Sequence, residues 1–348
     1  MSKIYPVIFV SVPENKLPEE LKTSFYGILG STKLRYANPL LFLKLRQIIK
    51  KNKITDLIIV HPYYGWLALL LKKSTGVKLS ILSHNIEAVR FKSMGKWWWK
   101  MLWFYEKNTH KITDHNFFVT QEDLDFAVNN YCLDAKKCDV ITYGIDWEQS
   151  PTKNEKKEAG DKIRQQYNID STYKILLFNG TLDYKPNVEA VDYIINNINP
   201  ILLKNTSFFY KIIICGRGLP AEFNELKDFQ SKNIIYAGFV EDINIFFKGA
   251  AIFLNPVITG GGIKTKLVEA LGNDLTSISC KSGAFGIPIN LAETKLTVVN
   301  DFDWDSFCDA IFSAKVEENI STTFFNHFYW GNIAAKAAHI ISGNSILQ

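Results

Sequence analysis

The sequence predicts an α/β protein of two doubly wound parallel-sheet domains facing across a cleft. Three observations carry that prediction. At 348 residues the chain is longer than one hydrophobic core usually organises. Short apolar runs (DLIIV, KLSIL, KILLF, KIIIC) alternate with stretches of helical periodicity, the pattern of parallel strands joined by covering helices. The alternation then stops at a polar stretch, DWEQSPTKNEKKEAGDK, and restarts beyond it.

Taken in order, the first domain (1–145) opens with a strand at 5–11. A helix follows at 39–51, where LLFLKLRQIIKK has an apolar face, then a strand at 56–60, a helix at 65–73 and a strand at 77–83. A long helix is expected at 94–113, a strand at 116–120, a helix at 121–131 and a strand at 138–142. Residues 146–162 carry a proline, many charges and no strand pattern, and read as a linker. The second domain (163–322) has strands at 175–178, 211–215, 234–237, 251–254 and 277–279, with helices at 187–195, 222–229, 243–248 and 263–271. The tail, 323–348, is helical in pattern over 324–341 and can return to the first domain.

Composition narrows the classes. No apolar run approaches the roughly 20 residues of a membrane span, and the N-terminus lacks a secretory arrangement. Five cysteines without ligand spacing suit a reduced, cytoplasmic setting, and the histidines, cysteines and acids show no cluster that would hold a metal. The net charge of +5 is uneven: residues 1–150 carry +7 and the remainder −2. Within the basic part, FKSMGKWWWKMLWFYEK (91–107) interleaves lysine with aromatics. It reads either as a patch for an anionic membrane surface, making the protein peripheral at the inner face, or as a packed helix with solvated lysines. No nucleic-acid module accompanies it.

The chemistry concentrates in NPVITGGGIKTKLVEALG (255–272). Gly260, Gly261 and Gly262 join a strand end to a helix start, where backbone amides and the helix dipole favour an anion. Lys264 and Lys266 supply charge within about a turn. Glu269 would oppose a phosphate, so it reads either as the ligand of paired sugar hydroxyls or as the surface partner of Lys266 three residues before it. Gly180 with Lys185, Gly216, and Val240 end other strands of the same domain, and four such loops match a nucleotide-sized ligand. No Walker A loop, dinucleotide fingerprint or G-x-S-x-G elbow is present. In the first domain His84 follows a strand, either to meet a sugar hydroxyl or as a structural histidine; His61, Glu106 and Asp123 are further polar candidates.

The motifs HNIE (84–87), FVTQED, ITYGID, FNGTLDYKPN, GFVEDI, NPVITGGGIKTKLVEALG and SGAFG together resemble those of the family 4 glycosyltransferases, retaining enzymes of GT-B fold. The resemblance implies transfer of a sugar from a nucleotide-sugar donor to a glycan or lipid-linked glycan acceptor, with no cofactor and no metal. It assigns His84, Glu269, Lys185 and Lys266 to catalysis. It assigns Gly180, Gly216, Val240, Gly260, Gly261, Gly262, Lys264 and Glu269 to the donor, with Glu269 on the ribose. The first domain becomes the acceptor side.

The sequence departs from the family pattern at several points. Gly261 stands at the first glutamate of the E-x7-E signature, Thr181 at a phosphate-binding arginine, Thr142 and Tyr143 at a Pro-Asn pair, and Asp274 and Thr276 at Gly and Pro. An opening strand with a glycine-rich loop is also missing, so a shortened N-terminal domain is expected. These departures keep open a catalytically degenerate nucleotide-sugar-binding or partner protein; a nucleotide-sugar epimerase, which shares the two-domain cleft, ranks lower because no cluster of acids for proton abstraction is recognisable.

Overall fold

The computed structural model describes residues 5–15, 23–292 and 294–343. Contacts divide the chain into two compact units, one running to Thr142 and resumed from Gly331, the other Tyr143–Trp330.

In the first unit β1 (Ile8–Ser11) and β2 (Ser24–Gly27) form a parallel pair of their own. SFYG has too few apolar residues to announce β2 in the sequence. The main sheet consists of β3 (Asp56–Val60), β4 (Lys78–Ser83), β5 (His115–Phe118) and β6 (Cys138–Val140), parallel and paired in that order. Helix Leu40–Lys51 buries Leu41 and Ile49 against Leu67, Leu71 and Val77. The helix expected at 94–113 is present as Trp99–Ile112, and its start is delayed because the chain turns at Gly95, whose φ is 69°; a further helix, Glu87–Ser93, precedes the turn. Helix Trp330–Ser342 brings Ile333 and Ala337 onto Phe117 and Ile141 of this unit.

The second unit holds β7 (Lys174–Asn179), β8 (Tyr210–Cys215), β9 (Ile234–Gly238), β10 (Ile252–Asn255), β11 (Thr276–Cys280) and β12 (Leu296–Val299). All six are parallel, in the order β12-β11-β10-β7-β8-β9. Successive residues face opposite cores. Ile175, Leu177, Ile213 and Phe253 enter one, whereas Leu176, Phe178, Ile212, Ile214 and Leu254 enter the other. Burying each such side chain contributes about 1.5–3 kcal/mol, so both faces of the sheet need a cover of helices. The strand order reverses between β7 and β10, and such a reversal opens a crevice beyond the carboxyl ends of the two strands.

The linker reading of 146–162 needs correction, because its second half is helix Lys153–Tyr167. Thr152 and Glu155 form a reciprocal capping box, and Ala159, Gly160 and Ile163 are buried. A Cβ on Gly249 would lie 2.7 Å from the backbone of Ala159 and Gly160, so two small residues allow the close approach. The high charge of the stretch lies on the other face and hides this stripe of three small or apolar residues from a reading of composition.

Candidate functional site

At the strand-order reversal, the end of β7 and the loop after β10 organise the two lysines. The Lys266 ammonium does not turn to Glu269. It donates to the Asn179 carbonyl (2.9 Å) and to Asn187 Oδ1 (2.6 Å) and lies 4.6 Å from the centre of the Phe178 ring. Asn187 is itself held by donating Nδ2 to the Thr181 carbonyl at 2.9 Å. Gly180 makes this arrangement possible, since a Cβ there would stand 2.7 Å from Asn187 Nδ2 and 3.0 Å from Lys266 Nζ. Burial first, and the charge of Lys264 second, push the Lys266 pKa down to about 7.

Lys264 precedes helix Thr265–Gly272 and folds back on the glycine loop, donating to the carbonyls of Gly260 (3.1 Å) and Gly262 (3.0 Å) and, at 3.5 Å, Gly261. Burial pushes its pKa down to about 8. Gly260 (φ 90°) and Gly262 (φ 69°) supply the left-handed backbone this fold-back needs. Lys264 therefore ties down the loop expected to cradle phosphate, and Lys266 is the lysine held at the strand end.

Glu269 accepts a 2.7 Å hydrogen bond from the Tyr143 hydroxyl, and burial pushes its pKa up. The surface pair with Lys266 is not formed among the described residues. The Lys185 side chain is 85% exposed, with its ammonium 3.5 Å from Glu189. Glu189 in turn accepts from Thr259 at 2.6 Å. Gly216 donates to the Gly238 carbonyl (2.7 Å) and Gly180 to the Cys215 carbonyl (3.1 Å), which locks the ends of β7, β8 and β9 together. Val240 packs partly against the core, leaving neighbouring Phe239 as the exposed side chain. The oxygens Asn179 Oδ1 and Asn255 Oδ1, on the last residues of β7 and β10, are buried without a partner. Sequence reasoning does not single out Asn179 or Tyr143 as ligands. Their only signal is position, one at a strand end and the other at a departure from a family motif.

In the first unit His84 follows β4 directly, its ring centre 4.7 Å from that of His61, which follows β3. Burial, then the neighbouring His61, push the His84 pKa down. His61 holds φ 64° and ψ 161°, a strained conformation for a residue with a side chain. Glu87 is fully buried, 3.3 Å from His61 Nδ1, and accepts from Tyr63 (2.6 Å) and Arg90 (3.2 Å). Burial opposes its ionisation, but those hydrogen bonds and the Arg90 charge outweigh it and bring the pKa to about 2. Glu106 serves the fold. Its two oxygens accept from the amides of Glu87 and Ala88, both at 2.9 Å, at the start of helix Glu87–Ser93, and one also takes the Tyr131 hydroxyl. Burial pushes its pKa up to about 7. Asp123 is buried with Oδ2 unpartnered, and burial pushes it up to about 6.

A two-unit α/β fold of parallel sheets, with a strand-order reversal in the second, defines the GT-B class. The sequence model described as Glycosyltransferase Family 4 matches residues 5–149, and the model described as Glycosyl transferases group 1 matches 173–314. The chain thus belongs to these glycosyltransferases, with each unit carrying one of their domains. Among solved structures it is similar to a glycosyltransferase from Rickettsia africae (TM-score 0.69, 17% identity, covering 99% of this chain and 92% of that one). It is also similar to the sucrose-phosphate synthase of Thermosynechococcus elongatus (TM-score 0.72, 12% identity, 97% and 88%). The Anabaena protein HepE in complex with UDP matches with a TM-score of 0.67 at 13% identity, covering 93% and 86%. A curated relative, an uncharacterized 44.6 kDa protein in the cps region of Klebsiella pneumoniae, is 27% identical over 270 residues, 74% of this chain. The match spans 65% of that relative's length.

Proposed function

We propose that this protein transfers a sugar from a nucleotide-sugar donor to a glycan or lipid-linked glycan acceptor, with retention of configuration and without a metal. The observation that carries the reading is Lys266, half-buried, its ammonium held by Asn179 and Asn187 beside a backbone kept bare by Gly180 at the strand-order reversal. A cation desolvated at a crevice gains most when an anion arrives, so it suits the charge that develops on a departing diphosphate. In this reading Glu269, oriented by Tyr143, takes the ribose hydroxyls, and the acceptor proton leaves on the departing phosphate. His84 is assigned to the acceptor side of the first unit. HepE structures with UDP and with UDP-glucose support a uridine donor.

No helix among the described residues is long and apolar enough to cross a membrane. The exposure of Trp97 (83%), Met101 (68%) and Phe104 (62%) favours the lipid-facing reading of 91–107 over the packed helix. Donor hydrolysis and transfer assayed over a panel of nucleotide sugars test the activity, and a silent panel from folded protein refutes it. Donor binding without turnover selects the degenerate binding protein, for which Gly261 is the specific observation.

A further inference from the structure

His61 stands at the carboxyl end of β3 in a backbone conformation that suits glycine, with φ 64° and ψ 161°. The conformation is held from both sides, by the His61 amide, which extends the β3–β4 pairing to the Leu82 carbonyl (2.9 Å), and by the turn Pro62–Tyr64 that follows. Keeping a side chain at such a position costs stability, so the ring is to be explained by what it does there.

The two ring nitrogens meet different surroundings. Nδ1 is buried 3.3 Å from Glu87 Oε1, within reach of the charge but off the line of a formed hydrogen bond. Nε2 is open to solvent and has no hydrogen-bond partner among the described residues. Glu87 is fully buried and ionised, with Oε2 taken by Tyr63 (2.6 Å) and Arg90 (3.2 Å) and Oε1 approached by Asn85 Nδ2 at 3.4 Å. An ionised carboxylate only accepts, so the nitrogen facing it carries the proton and Nε2 keeps a bare lone pair. That lone pair requires a donor. It repels anions, and Arg90 already pairs with Glu87, which removes the attraction for a cation; a neutral hydroxyl is the matching group.

We infer that His61 is a specificity residue of the first unit that binds a hydroxyl of the acceptor sugar through Nε2, with Glu87 as the residue that positions it. Naming the acceptor as the owner of that hydroxyl rests on the transferase reading above; the oriented imidazole does not. The hydroxyl bound here is not the reacting one, whose proton leaves on the departing phosphate. A hydroxyl donating to Nε2 makes Nδ1–H a stronger donor and draws the 3.3 Å contact with Glu87 into a hydrogen bond.

Long-range proton–nitrogen correlation on the chain labelled with nitrogen-15 histidine, at pH 8, reads the orientation. His61 should carry its proton on Nδ1, and Glu87→Gln should erase that preference. Titration with the methyl glycosides of glucose, galactose and mannose should shift His61 Nε2 with at least one of them, and the shift should disappear with one of its deoxy analogues. His61→Gly should melt no lower than the native chain, because relief of the backbone outweighs the greater freedom of glycine in the unfolded state. In transfer from UDP-glucose to the glycoside that binds, the native chain should favour the parent over that deoxy analogue by about tenfold or more in kcat/KM, and His61→Gly should lose the preference. A proton on Nε2 in the native chain, no glycoside that moves Nε2, a lower melting temperature for His61→Gly, or a preference that survives in that variant overturns the proposal. An unchanged proton position in folded Glu87→Gln overturns the role of Glu87. Glycoside shifts at Nε2 in a chain that transfers no sugar refute the transferase reading instead and leave the hydroxyl site standing.

Discussion

Donor binding should be coupled to proton uptake, and the coupling should run through Lys266. In the free protein its pKa is about 7 and that of Lys264 about 8, both lowered first by burial. At pH 7 the first ammonium is about half protonated and the second about nine-tenths. A diphosphate placed beside them restores the charged forms, so binding takes up about 0.5 proton at Lys266 and about 0.1 at Lys264. At pH 8 the two contributions become about 0.9 and 0.5. The sign follows from the depressed pKa values: affinity is highest below about pH 7 and falls above it, by up to tenfold per pH unit for each lysine. UDP-glucose is the suitable ligand, because its diphosphate does not titrate in this range. Calorimetry in buffers of differing ionisation enthalpy reads the proton count directly. Lys266→Met should lower the uptake at pH 7 from about 0.6 to about 0.1 and flatten the pH dependence of affinity between pH 6 and 7.5. An unchanged uptake in that variant would refute the assignment of Lys266 to the donor phosphates.

Glu269→Gln replaces a charged acceptor by an amide and should weaken UDP-glucose about tenfold or more by calorimetry, with Tyr143→Phe losing less because it only orients the carboxylate. In Gly180→Ala the new Cβ meets Asn187 and the Lys266 ammonium, so donor affinity should collapse at a stability cost of about 1–3 kcal/mol, read by denaturant titration. Glu106→Gln leaves one of two buried amides at the helix start without its acceptor and should cost about 1–3 kcal/mol. The raised folded pKa of Glu106, about 7 against an ordinary 4.5, makes its contribution complete below about pH 4.5 and lost as pH rises through 7. Melting temperatures of the native chain and the variant measured from pH 4 to 8 should therefore lie furthest apart below about pH 4.5 and approach one another as pH rises through 7, and parallel curves would refute that role.

What can be read from the sequence is governed by distance along the chain. β7, β8 and β10 are apolar runs that no other element could bury, and the glycine loop before Lys264 declares its left-handed backbone residue by residue. β2 stays hidden because four residues carry too little pattern, and helix Lys153–Tyr167 because its buried stripe is only Ala159, Gly160 and Ile163. The only partner that local spacing offers Lys266 is its helical neighbour, Glu269. Its true partners, Asn179 and Asn187, lie 87 and 79 residues away and are brought to it by the β7–β10 pairing. Glu106 reads as a functional acid for the same reason: nothing local says that Glu87 and Ala88 turn their amides toward it. Short-range rules find the loops, but the burial that lowers a lysine pKa or commits a carboxylate to holding a helix start is a property of the assembled fold. This is why the bare backbone at Gly180 is the more telling feature of the candidate site. It is a local absence of side chain whose reason, an ammonium 3.0 Å from where Cβ would stand, exists only in three dimensions.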